Sequence, residues 1–165
     1  MAIPQVSICI PAFEQPTALL RLIKSVANQN FNDLEIIITD DSRDEDIKNI
    51  IEMFTELPLT YIKNKQPLGP PANWNAAIRM ARGKYIKVMH HDDWMTNKYS
   101  LSKLIELLDN KPKADFAFCG SVNVSSERSW IHSISHNQVK KIKTNPMLLF
   151  LGNYVGAPSA TIFKN

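Results

Sequence analysis

Apolar residues along this chain come in two rhythms that alternate. Val6 to Ile10 is a continuous apolar run stopped by Pro11, the pattern of a strand buried on both faces. Thr17 to Asn28 follows with Leu19, Leu20, Leu22, Ile23 and Val26 at helical spacing behind Pro16. Leu34 to Thr39 is a second β-branched run, cut off by Asp40, Asp41 and Ser42, and Asp44 to Phe54 returns to helical spacing through Ile47, Ile50, Ile51 and Phe54. Leu59 to Ile62 is a short third strand. Gly69, Pro70 and Pro71 break the chain before a helix carrying Trp74, Ala77, Ile78 and Ala81 on one side, and Gly83 ends that helix. Tyr85, Ile86, Val88 and Met89 then form a fourth strand.

Strand and helix in alternation predict an α/β domain with a largely parallel sheet and right-handed crossovers. Ligands of such sheets sit beyond the carboxyl ends of the strands. Three polar clusters follow three of the predicted strands: Pro11 to Glu14, Asp40 to Ser42, and His90 to Asp93. The stretch GKYIKVMHHDDW delivers two imidazoles and two carboxylates to one strand end. Adjacent carboxylates repel when ionised, so a cation or a set of hydrogen-bond donors is expected beside them. The plain alternative is a solvated loop with Asp93 capping the next helix.

The second half is less regular. Leu101 to Leu108 predicts a helix, Asp115 to Val124 one strand or a strand pair, Ser129 to Ile134 another strand, Met147 to Leu151 a helical turn or two, and Ala160 to Phe163 a closing strand. Trp130, His132, Ile134 and His136 alternate, which puts both histidines on one side of a strand. Lys140 to Lys143 reads as a basic loop, either solvated or lying against a membrane surface.

Composition narrows the classes. The chain has 165 residues, 44% hydrophobic and 21% charged, with a net charge of +3, which fits one soluble globular domain. Basic residues are scattered apart from Lys140 to Lys143, so no nucleic-acid interface is expected. Cys9 and Cys119 read as small buried hydrophobes in a reducing compartment. No apolar run is long enough to span a bilayer, and no leader-like segment opens the chain. The expected location is cytoplasmic.

The opening VSICIPAFEQPTALLRLIKSVANQNFNDLEIIITDDSRDE resembles that of the family 2 glycosyltransferases, inverting enzymes with the GT-A fold. So does the spaced continuation Gly69, Asn75, Ala81-Arg82-Gly83-Lys84-Tyr85-Ile86 and Asp92-Asp93. The resemblance covers nearly the whole chain, with its motifs in order. It implies a GT-A-like, Rossmann-like three-layer sandwich around a largely parallel central sheet. It further implies a nucleotide-sugar donor held by Pro11, Ala12, Glu14, Asp41, Asn75, His90, His91 and Asp92. Asp41 matches the acid that binds the nucleobase, and Asp92 the last acid of the D-x-D motif that holds a divalent cation, Mn²⁺ or Mg²⁺.

Two positions depart from the family pattern. His90 stands where the first acid of D-x-D is expected, and Glu14 where an Asn commonly follows the first strand. A neutral imidazole can hydrogen-bond a ribose hydroxyl but is a poorer partner for Mg²⁺ than a carboxylate, which shifts preference towards Mn²⁺. The resemblance places the catalytic base beyond Asn165, so these residues are expected to form the nucleotide-sugar-binding part of a longer transferase. An acid at position 41 can accept from a uracil imide N–H, which points to UDP. The acceptor, whether glycan, lipid-linked or other, is not legible, and peripheral association of the longer protein with a membrane is compatible with the basic segment. The competing class is a nucleotide-binding or regulatory domain without transferase activity. A nucleotidyltransferase would need a glycine-rich, basic phosphate loop after the first strand, which PAFEQP lacks, and no G-x-G-x-x-G marks a dinucleotide site.

Overall fold

The computed structural model describes residues 2–165, apart from the side chain of Phe150. The elements run β1 (Val6–Ala12), α1 (Pro16–Ala27), β2 (Leu34–Asp40), α2 (Asp46–Ile51), β3 (Leu59–Lys63), α3 (Pro70–Met80), β4 (Tyr85–Val88) and α4 (Ser100–Asp109). They continue with β5 (Phe116–Phe118), β6 (Ser121–Val124), β7 (Ser129–His132), α5 (His136–Thr144), α6 (Leu148–Leu151), a 3₁₀ turn (Pro158–Ala160) and β8 (Thr161–Lys164). Six strands form one sheet in the order β3-β2-β1-β4-β8-β5. β1, β2, β3 and β4 are mutually parallel, while β8 runs antiparallel to both β4 and β5. β6 and β7 make a separate antiparallel ribbon.

The continuous apolar runs are explained by helices on both faces. All seven residues of β1 and of β2 are buried. Because side chains alternate along a strand, Ile8, Ile10, Ile36 and Ile38 turn towards Leu19, Leu22 and Ile23 of α1 and Leu101 and Leu104 of α4, while Cys9, Ile37, Ile86 and Val88 turn towards Ala77 and Ile78 of α3. The result is the expected three-layer sandwich. Burial pushes the Cys9 thiol up to about 12, with the Glu35 charge adding to it, so this cysteine is an inert core residue.

A polar clamp closes the edge of the sheet at the amino ends of β1 and β2. The Ser7 hydroxyl donates to Glu35 (2.6 Å) and accepts from the Gly83 amide (2.8 Å), while the Arg82 guanidinium reaches Glu35 at 2.7 Å. Burial favours the neutral acid, but the hydrogen bonds from Ser7 and Arg82 outweigh it and hold the Glu35 carboxyl below its ordinary range. A β-carbon on Gly83 would lie 2.5 Å from the Ser7 amide nitrogen, so glycine is required by this close approach.

The chain departs from the sequence reading in several places. α2 spans only Asp46–Ile51 of the Asp44 to Phe54 stretch, because the Asp44 carbonyl is taken by the Lys63 ammonium and the chain turns at Glu52 and Met53. The Asp115 to Val124 run divides between two sheets, broken at Cys119 and Gly120. Cys119 is exposed rather than buried, because β5 is a short strand at the sheet edge. β7 stops at His132, so His132 and His136 do not share a strand face; His136 opens α5. Lys140 to Lys143 is helical rather than a loop. A capping box between Ser135 and Gln138 nucleates α5 and satisfies its first amides. Among the described residues, no helix is long and apolar enough to cross a membrane.

Candidate functional site

Parallel pairing of β1 with β2 and β4 brings the three polar clusters to one edge of the sheet. A cleft of about 400 Å³ opens there. Phe13 and Trp74 supply apolar walls, and Asp41, His90, His91 and Asp92 supply the polar ones. Pro11 also lines it. Ala12 lies buried beneath, its carbonyl accepting from the Asp41 amide at 3.0 Å.

Asp40 and Asp41 look alike in sequence but do different work. Asp40 is fully buried and accepts from the Ser42 amide (2.7 Å), the Tyr61 hydroxyl (2.8 Å) and the Lys63 ammonium (3.0 Å). Burial pushes its pKa up, but the bonds from Ser42, Tyr61 and Lys63 prevail and leave it lowered. Asp41 faces the cleft. Its Oδ1 accepts from Asn64 (2.7 Å) and the Leu68 amide (3.1 Å), and its Oδ2 from the Gly69 amide (2.9 Å). It therefore anchors the loop that leads into α3, where Gly69 takes a φ of 81°. A carboxylate has about four acceptor positions, so one on Oδ2 is left for a ligand.

Asn73, which sequence reasoning missed, is 3% exposed and locks this corner. Its amide donates to the Ala12 and Thr39 carbonyls at 3.3 and 3.2 Å, and its oxygen accepts from Asn64 at 3.0 Å. Asn75, the residue that sequence reasoning selected, is exposed on α3 and does not line the cleft. The two asparagines sit two positions apart, and α3 turns only one of them inward. Glu14 is also exposed and off the cleft lining. It and Gln15 both have φ of 53°, a left-handed conformation that is costly for non-glycine residues, and the Glu14 amide is held by the Ser42 hydroxyl at 2.6 Å.

The turn after β4 is held from both sides. The Arg21 guanidinium lies 3.7 Å from the centre of the Trp94 ring and donates to the Asp92 carbonyl at 2.9 Å. Opposite, the Ser159 hydroxyl accepts from the His90 amide at 3.0 Å and donates to the Asp93 carboxylate. Asp93 thus braces the turn and does not cap α4, whose N-cap is Tyr99. Ser159 is itself placed by Lys87, whose ammonium donates to the Ser159 and Thr161 carbonyls at 2.6 and 3.2 Å. No local sequence signal marks Ser159, which lies 66 residues from Asp93.

Ligand atoms of His90, Asp92 and Asp93 all lie within 4.8 Å of one another. Nε2 of His90 and of His91 are buried and lack hydrogen-bond partners. The His90 imidazole, with its unpartnered Nε2, beside the Asp92 and Asp93 carboxylates fits a divalent cation with mixed nitrogen and oxygen preference. A second cleft of about 280 Å³ lies across the turn, between Met95 and β6, with Lys87 and Asp93 in its wall. Asp41, His90, His91 and Asp92 converge on the first.

The sequence profile of the family described as Glycosyl transferase family 2 matches residues 7–164. The chain is 32% identical over 168 residues to the GalNAc(5)-diNAcBac-PP-undecaprenol beta-1,3-glucosyltransferase of Campylobacter jejuni, a match covering 98% of this chain and 54% of that protein. Its fold is similar to that of S. aureus TarS residues 1–349 in complex with UDP, with a TM-score of 0.74 and 18% identity over 97% of this chain and 46% of the other. A mannosyltransferase from Pyrobaculum calidifontis in complex with GDP-Man and Mn²⁺ matches with a TM-score of 0.64 and 19% identity over 72% of this chain and 36% of the other. The chain thus spans about half the length of the relative from C. jejuni.

Proposed function

The chain belongs to glycosyl transferase family 2, and from that premise we propose that its cleft holds a nucleoside-diphosphate sugar, with UDP as the nucleotide, for inverting transfer to a lipid-linked glycan acceptor. The observation that carries this reading is the convergence of Asp41, His90 and Asp92 on one cleft at the carboxyl ends of β1, β2 and β4. The free acceptor position on Asp41 suits an imide N–H, and Phe13 and Trp74 suit the flat base. The S. aureus neighbour is described with UDP and the C. jejuni relative is named for a PP-undecaprenol substrate, which favours this donor and acceptor here.

In an inverting transfer the acceptor oxygen bonds to the anomeric carbon as the bond to the diphosphate breaks. Asp92, with His90 beside it, would hold a divalent cation that neutralises charge on the departing diphosphate. Ser159 and Arg21 keep the turn in place while this happens. By resemblance to the family, the general base that takes the acceptor proton would be an acid beyond Asn165. The enzyme works in the cytoplasm, at the membrane face where such an acceptor is reached. The alternative reading is a nucleotide-binding domain without transfer activity.

Titration calorimetry with UDP tests the assignment. UDP binds more tightly with Mn²⁺ than with chelator, and Asp92→Asn removes the difference. Equal affinity with and without metal in the unaltered protein overturns it.

A further inference from the structure

The segment from β6 to α6 has a surface unlike the rest of the molecule. It holds six of the fourteen large apolar side chains exposed among the described residues: Val122, Val124, Trp130, Ile131, Met147 and Leu151. Leu151 is 82% exposed and Ile131 74%. Residues 121–155 contain one acid, Glu127, against four bases, Arg128, Lys140, Lys141 and Lys143, so this segment carries the whole of the chain's net charge of +3. The remaining residues balance to zero.

The arrangement within the segment is specific. Pairing of Val122 with Ile131 across the ribbon puts Val122, Val124 and Ile131 on one face, and Val122 and Ile131 line the second cleft. On the other face, the Arg128 guanidinium lies 5.4 Å from the Trp130 ring centre. α5 contains no acid. Its apolar residues Val139 and Ile142 are half-buried at a spacing of three, while Lys140, Lys141 and Lys143 are exposed. α6 packs against α5, and the protruding Met147 and Leu151 flank it.

We propose that this β6–α6 segment docks on an anionic lipid bilayer, with the α5 lysines at the headgroups and Met147 and Leu151 in the interface. Exposed cations beside protruding aliphatic side chains are the signature of an interfacial element. A second copy of this chain is a poor occupant, because two such faces would oppose like charges across the contact. The inference does not depend on the donor reading, since a chain that binds no nucleotide keeps this surface.

The test is co-sedimentation with phosphatidylcholine vesicles, with and without phosphatidylglycerol, at low and high salt. The chain should bind only the anionic vesicles and be released by salt. The triple variant Lys140→Gln, Lys141→Gln, Lys143→Gln should bind about 100-fold more weakly, from roughly fivefold per lysine. Met147→Ser with Leu151→Ser should weaken binding while leaving its salt dependence unchanged. Both variants should keep the native circular dichroism and UDP affinity, which separates failure here from failure of the donor assignment. The proposal is overturned if anionic lipid makes no difference, or if the lysine variant binds as the unaltered protein does. It is equally overturned if this face is found buried in a dimer, against an acidic protein or beneath a longer form of the chain.

Discussion

β1 and β7 are both rich in apolar residues, yet one disappears into the protein and the other lies on its surface. Every residue of β1 is buried, whereas three of the four residues of β7 are exposed. What differs is cover. β1 has strand neighbours on both edges and helices on both faces, while β7 has β6 on one edge and no core of its own. The body of residues 6–109 can therefore hold a cleft rigidly, and the β6–α6 segment is free to make contacts outside the chain.

The sharpest way to break this comparison is one deletion made twice. Ile8→Ala in β1 should cost about 2–5 kcal/mol, since it removes buried methyl groups and leaves a cavity. Ile131→Ala in β7 should change stability by less than about 0.5 kcal/mol, as an exposed side chain loses little. Urea denaturation of both variants decides it. Comparable losses would mean that the ribbon is packed against something in solution.

Asp41→Ala probes the cleft end of the body. It should weaken UDP binding by about 1.5–3 kcal/mol, the range for a hydrogen bond to a charged group. It should also destabilise the fold, because Asp41 is 4% exposed and its loss strands the Leu68 and Gly69 amides. A parallel stability loss of about 1–3 kcal/mol is expected. A variant that is destabilised but binds UDP normally would leave Asp41 a purely structural residue.

The contrast between the two regions also explains what sequence could reveal. Val6–Ile10, Leu34–Thr39 and the Tyr85 strand stand out because burial on both faces demands unbroken apolar runs. Their common polar ends follow from parallel pairing, so the positions of Asp41, His90, His91 and Asp92 were legible. α5 was not, because HNQVKKIKT offers only Val139 and Ile142 as apolar signal, and its helix rests on the Ser135–Gln138 capping box. The choice between Asn73 and Asn75 depends on how α3 is rotated. Ser159 depends on where β8 returns to the sheet. Such facts are set by tertiary packing.

Lys87 lies on the seam between the two regions, and its predicted effect is spread over a range of pH. Its side chain is among the largest fully buried ones, and it joins β4 to Ser159 and Thr161 of the returning chain. Burial pushes its ammonium down from the usual 10.5 to about 8, with Cys119 and Asp93 pulling weakly the other way. Between those two pH values the unfolded chain binds a proton that the folded chain does not. Stability from this group therefore rises with pH across that window, by up to about 1 kcal/mol per pH unit, and is flat below it. Lys87→Met should abolish the rise. It also leaves the Ser159 and Thr161 carbonyls without their donor, a cost independent of pH that alters the level of the curve and not its slope. Comparing the two proteins in a Cys119→Ser background removes the neighbouring thiol, and the tyrosines and other lysines common to both cancel in the difference. Parallel stability curves from pH 8 to 10 would show that Lys87 keeps an ordinary affinity for its proton, and that the seam is wetter than the structure makes it.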